Sequence, residues 1–280
     1  MLLALVSLVF MAAAVAHVVY HDARYKLTLA LFEKYPPAAA EGKSGPRPVP
    51  VLMYHKVNPD PRTGGLGLRV PPDKFAWQMD FLARHGYHTV SLLDVLAAWQ
   101  GQKKLPSRPV VITFDDGYLD NYTYALPILR QHGFTATVFV VAGTVGEINS
   151  FDYPVRQPRN VMMGWDEIKK MQQAGITIGS HTLNHPHLAD LTAEQQAYQL
   201  RRSKEILEEH LGRPVDVLCY PYGSYNEETL RQAAAAGYRA AVTTVQGLAA
   251  PADAPYRLKR IRIRGDYSRD KFVHELLRYY

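Results

Sequence analysis

The chain is poor in several features whose scarcity narrows its function. One cysteine, Cys219, stands among 280 residues. No intrachain disulfide can form, and a cysteine-based zinc cluster is excluded. No run of Lys and Arg is dense enough to grip a nucleic acid, although the formal net charge is +6. That modest excess suits a basic surface facing an anionic cell envelope. Internal repeats and low-complexity blocks are missing, and with them solenoid or fibrous architectures. No residue pattern specifies an oligomeric state.

Basic residues are also missing from the extreme N-terminus, where an apolar segment runs from Leu2 to Tyr20 with His17 as its one interruption. The segment is just long enough to span a bilayer, and it contains Ala14-Val15-Ala16, a small-x-small cleavage pattern. Arg24, Lys26 and Lys34 follow it, against the positive-inside rule for simple export. The expectation is an apolar helix over residues 1–20, acting as a signal peptide or membrane anchor that places the remainder at the cell surface or outside the cell. Residues 21–49 then form a linker rich in Pro, Ala and Gly towards its end. A single catalytic domain occupies 50–280, a length able to bury a large core.

From Val51 onward strand-like and helix-like segments alternate, which predicts a parallel sheet or barrel. Strands are expected at 51–54, 109–112, 135–141, 176–180, 215–218, 240–244 and 258–263. Helices are expected at 73–85, 91–100, 120–132, 192–211, 227–236 and 270–279. Pro127 should bend the third helix or mark its true start. The stretch 143–163 lacks any period, and so long a loop suggests the wall of a cleft. Trp165, just beyond it, is a candidate sugar platform, or else a core side chain.

Three strand ends carry the chemistry. Pro109 to Ile112 reads as a buried strand running into Thr113-Phe114-Asp115-Asp116-Gly117. Adjacent carboxylates at a strand end point to opposite sides, so one can bind a metal while the other faces a reacting water; a plain Asp-Gly turn is the simpler alternative. Ile176 to Ser180 runs into His181-Thr182-Leu183-Asn184-His185. Two histidines four apart converge on one ion if the backbone makes a helical turn, and His187 could replace His185. Imidazole plus carboxylate suits zinc, while cobalt, nickel or iron fit the same ligands. Val215 to Leu218 leads into Cys219-Tyr220-Pro221-Tyr222-Gly223, a tight bend that could aim the Tyr222 N–H at a developing oxyanion.

In this order the three motifs resemble those of the polysaccharide deacetylases of carbohydrate esterase family 4, the NodB-homology domain, over roughly 50–264. The resemblance implies a distorted (β/α) barrel and metal-dependent removal of N-acetyl groups from N-acetylglucosamine polymers. It makes Asp115 the catalytic base and Asp116, His181 and His185 the metal ligands. Tyr222 becomes the oxyanion contact, with Tyr220 and Pro221 beside the substrate. Two departures stand out. Members carry an Arg two residues before the motif proline, where this chain has Cys219; Arg260 is the candidate to take over its task. Members also carry a Leu-x-His near the C-terminus, and Leu258 to Ile263 holds no histidine. His55, after the strand 51–54, resembles instead the general acid of the circularly permuted branch, whose first strand takes the place of the usual last one. The rivals are an O-acetyl esterase of the xylan type and a non-catalytic carbohydrate-binding barrel.

Overall fold

The computed structural model describes residues 15–16, 18–20, 22–30 and 46–278. Ten strands are named: β1 Val51–Tyr54, β2 Lys56–Val57, β3 Arg69–Val70, β4 His88–Thr89, β5 Pro109–Phe114, β6 Thr137–Val140, β7 Thr177–Ser180, β8 Val217–Cys219, β9 Ala240–Gln246 and β10 Leu258–Arg262. Seven of them close a parallel barrel in the order β1-β10-β9-β8-β7-β6-β5, because β1 pairs with both β10 and β5. The β4 strand extends the sheet at β5, and β2 pairs separately with β3. The N-terminal strand thus seals the ring between the last strand and the one bearing the Asp pair.

The helices follow from caps and stripes. α1 (Pro72–Arg84) buries Phe75, Met79 and Leu82, and Gly86 beyond it takes the left-handed φ of 69°. α2 (Leu92–Trp99) opens on a capping box in which Ser91 accepts from the Asp94 N–H. The third helix splits: a π-helical stretch, Asn121–Ala125, precedes α3 (Leu126–Gln131), where Pro127 lies in the first turn and needs no donor. α4 (Trp165–Gln173) is an addition to the expected set. α5 (Ala193–Leu211) has the Thr192–Gln195 box and a left-handed Gly212, and α6 (Glu227–Ala235) is boxed by Asn226 and Thr229.

Among the described residues, 46–266, which hold the barrel, belong to one unit, and those of 15–30 and 267–278 to a second. Within the second, residues 22–30 are helical, α7 spans Arg269–Leu277, and Arg24 Nε lies 3.6 Å from Asp270 Oδ2. The apolar helix expected over 1–20 lies largely outside the described residues. Among those described, no helix is long and apolar enough to cross a membrane.

Candidate active site

Strand parity builds the site. Val51, Val111, Val217, Cys219 and Leu258 belong to one apolar cluster, and alternate residues of a strand share a face. Along that face the character then turns polar. On β5 the series Val111, Thr113, Asp115 ends in a carboxylate; on β10 Leu258 is followed by Arg260; on β1 Val51 and Met53 lead to His55. Register aligns them: Tyr54 pairs with Phe114, and the Asp115 N–H donates to the Tyr54 carbonyl at 3.0 Å. His55 and Asp115 therefore leave neighbouring strands side by side, with His55 Nε2 3.9 Å from Asp115 Oδ2.

Arg260 is fully buried, and all three of its guanidinium nitrogens are bonded. Nη1 donates to Asp115 Oδ1 and Nη2 to Oδ2, both at 2.7 Å. Nη1 also reaches Thr113 Oγ1 at 3.1 Å, Nε donates to the Thr243 carbonyl at 2.8 Å, and Nη2 lies 3.2 Å from Cys219 Sγ. Such a fork satisfies both charges in the interior. Burial alone would push the Asp115 carboxyl up, but Arg260 outweighs it and holds the group below its ordinary value. The guanidinium that the motif lacks at Cys219 comes from β10.

Asp116 faces the other way, with φ 76°. Its Oδ1 is 3.3 Å from His181 Nε2 and 3.4 Å from His185 Nε2, and the two imidazole rings meet edge to face at 4.7 Å. Two donors each about 2.05 Å from a tetrahedral ion stand about 3.3 Å apart, so the donor set fits a zinc-type cation. The Cys219 carbonyl, which can only accept, lies 2.8 Å from His181 Nδ1. That contact puts a proton on Nδ1 and turns Nε2 towards Asp116. His185 Nδ1 is buried with no partner among the described residues. Burial pushes the Asp116 carboxyl up, yet hydrogen bonds from His181 and His185 hold it well below the ordinary range. For His55, burial dominates and lowers its pKa despite the two aspartates.

One expectation needs correction. The histidines converge without a helical turn: Thr182 and His185 both take left-handed φ, 67° and 58°, and Thr182 Oγ1 accepts the His185 N–H at 3.0 Å. His187 is not in the cluster; its ring stacks on Tyr222 at 4.0 Å. Tyr222 is itself left-handed, at φ 58°, and its ring lies 4.6 Å from that of His185. Gly223 makes the bend possible, since a Cβ there would fall 2.0 Å from Thr244 Oγ1. Tyr220 is buried, with its hydroxyl donating to the Tyr256 carbonyl at 3.1 Å, and Pro221 is buried beside it.

The loop 143–163 does wall a cleft. A cavity of ≈ 500 Å³ is bounded by Phe151, Asp152 and Arg156 on one side and by Asn184, His185 and Tyr222 on the other. The Phe151 ring lies 4.3 Å from His185, and the Arg156 guanidinium sits 4.7 Å over Tyr222. Burial raises the Asp152 carboxyl to about 6. Trp165 is not among the residues lining this cleft; it opens α4 and stacks on His210 at 3.8 Å.

Three supporting residues went unread in the sequence. Asn121 Nδ2 donates to the His55 carbonyl at 2.7 Å, and Asp120 accepts from the Val57 N–H at 3.2 Å. Lys56, fully buried, bonds the Thr63 carbonyl at 2.6 Å and Gln157 Oε1 at 2.9 Å, tying the cleft loop to β2. The only available signal was a lysine inside a strand-like run and a polar pair, Asp120-Asn121, soon after the Asp-Gly turn.

A family profile described as polysaccharide deacetylase matches residues 102–241. The chain belongs to the polysaccharide deacetylase family. It is 34% identical over 227 residues to YxkH of Bacillus subtilis (strain 168), named as a polysaccharide deacetylase, covering 81% of this chain and 75% of that one. It is 27% identical over 219 residues to the poly-beta-1,6-N-acetyl-D-glucosamine N-deacetylase of Staphylococcus aureus (strain MRSA252), covering 75% and 71% respectively. Among solved structures, the Streptococcus pyogenes deacetylase PplD in complex with acetate superposes with a TM-score of 0.71 at 30% identity, over 83% of this chain and 98% of that one. IcaB from Ammonifex degensii gives 0.69 at 28%, over 82% and 97%. The closed parallel barrel and the N-terminal strand within it agree with the circularly permuted branch of this hydrolase family.

Proposed function

We propose that this deacetylase removes N-acetyl groups from a polymer of N-acetylglucosamine, with Asp115 as general base and His55 as general acid. The observation that carries the reading is the division of labour between two neighbouring carboxylates: Asp115 is clamped by Arg260 and faces His55, whereas Asp116 faces His181 and His185. Asp116, His181 and His185 would hold a divalent ion, zinc first among the candidates. When bound, such an ion supplies Lewis acidity towards a carbonyl and lowers the pKa of water from about 15.7 towards about 7.

The chain's own groups do the rest. Asp115 keeps a lone pair on each oxygen beyond the Arg260 fork and takes the proton of the attacking water. The Tyr222 N–H donates to the amide oxygen as negative charge gathers there. An amine leaves poorly unless protonated, and His55 Nε2 delivers that proton from beside Asp115. Water is consumed, and acetate and a free amino sugar are released. Asn121 holds the His55 backbone, and Tyr220 and Pro221 shape the bend that presents Tyr222. The apolar segment over 1–20 is assigned as signal or anchor, placing the barrel at the cell surface, where an envelope or secreted polysaccharide is found.

Acetate release tests the proposal. β-1,6-linked N-acetylglucosamine oligomers, chitin oligomers, peptidoglycan and acetylxylan are compared with and without chelator. Acetate from the N-acetylated substrates, lost in chelator and restored by zinc, is the expected result. Release from acetylxylan alone would overturn it in favour of an O-acetyl esterase.

A further inference from the structure

A second cavity adjoins the cleft. It measures ≈ 300 Å³ and lies between the loop after His185 and the start of α5, bounded by Pro186, Leu191, Glu194, Gln195, Tyr198 and Gln199. Pro186 lines both cavities, and it follows directly on His185. A hydrogen bond joins them as well: Gln199, in the second, accepts from the backbone N–H of Asn184, in the first, at 2.9 Å. The second space thus borders the cleft that holds His185 and Tyr222.

Its chemistry is that of a sugar cradle. Tyr198 leaves 52% of its surface exposed, so its ring is open to a ligand. Tyr198, Pro186 and Leu191 give the cavity an apolar lining, to which Glu194, Gln195 and Gln199 add polar side chains. Both volumes fall within about 300–1,000 Å³, the range of small-ligand sites. The residues are also held in place: the Gln195 side chain accepts from the Thr192 N–H at 3.0 Å, and the Gln199 side chain is fixed by Asn184.

We infer that this cavity is a distal subsite for the same glycan chain, in which Tyr198 stacks on a sugar beyond the immediate neighbour of the one being deacetylated, so that the enzyme favours long polymer over short oligomer. The inference rests on the deacetylase reading for the identity of its ligand. A glycan running from His185 across Pro186 would come next to Tyr198. One added stacking contact is worth roughly fivefold to tenfold in affinity.

The test compares the hexamer and the dimer of β-1,6-linked N-acetylglucosamine with the full chain and two variants. Tyr198→Ala is expected to lower the hexamer-to-dimer ratio of kcat/KM about fivefold to tenfold, through KM for the hexamer, and Tyr198→Phe to keep the parent ratio. An unchanged ratio in Tyr198→Ala, or a loss shared equally by both oligomers, would overturn the subsite. A second measurement separates this from the reading beneath it. Hexamer binding to Asp115→Asn is followed by calorimetry with and without Tyr198→Ala. A fivefold to tenfold rise in Kd supports the subsite even if the parent released no acetate, an outcome that would sink the deacetylase proposal alone. An unchanged Kd contradicts the subsite even if turnover is normal.

Discussion

Asp115 and Asp116 are consecutive, alike in chemistry and both buried, yet their surroundings share little. Asp115 sits against a guanidinium that also bonds Thr113, Thr243 and Cys219, and it has two short, parallel charge-assisted bonds. Asp116 is turned by a left-handed backbone towards two imidazoles, one of which keeps a buried nitrogen unbonded. One carboxylate is closed by a fixed counter-charge; the other belongs to a donor set that an ion would complete. The identity of a side chain therefore says less about its role than the charge placed opposite it.

The comparison can be broken most severely at the base. Asp115→Asn should lower acetate release by about 10³-fold, and His55→Asn by about 10²-fold, in the range general acid–base groups supply. Comparable kcat in Asp115→Asn and the parent would remove Asp115 from the chemistry. Arg260 comes next. Arg260→Met leaves Asp115 buried without its counter-charge and should cost about 3–5 kcal/mol of stability by denaturant titration. Arg260→Lys keeps the charge but loses the fork, and should retain part of the stability with a lower kcat. Equal stability of Arg260→Met and the parent would show that the ion pair contributes nothing.

Acid sharpens the contrast more gently. The folded-state pKa of Asp115 lies below its ordinary value of 3.8, so the pair's contribution is complete above that value and is lost as the pH falls through the depressed one. The thermal midpoint of the parent should drop in that acid window. Asp115→Asn should show a shallower drop, since Asp116 is depressed as well and remains. Identical acid profiles would contradict the shift. The smallest effect is expected at Cys219. Its side chain is a weak partner for Arg260, so Cys219→Ser should change stability by about 1 kcal/mol or less and leave metal content unaltered; a loss of metal would place the thiol among the ligands.

Much of this was legible in the chain. Apolar runs stopping at charged or Gly-containing turns marked four strand ends, and these carry His55, Asp115 and Asp116, His181, and the Tyr220–Gly223 bend. Ser91 marked the start of α2, and Thr192 with Gln195 that of α5. Other features were hidden for physical reasons. Arg260 is legible only through the arginine that the family motif lacks here: parallel strands buried on both faces read as continuous apolar runs, so the parity that puts it opposite Asp115 carries no periodic signal. The partners are also 145 residues apart. Thr182 and His185 adopt positive φ, which non-glycine residues seldom do and which nothing local announces. α4 is short, with only Ile168 and Met171 buried, too few to make a stripe. Lys56 reaches Gln157 and Asn121 reaches the His55 carbonyl, across separations in sequence that no composition reveals.

Metal stoichiometry, measured side by side on purified Asp115→Asn and Asp116→Asn after zinc loading and desalting, tests the division between the two carboxylates most directly. Asp115→Asn should retain close to one ion per chain with almost no turnover, and Asp116→Asn should retain almost none. Equal metal content in the two variants would contradict it.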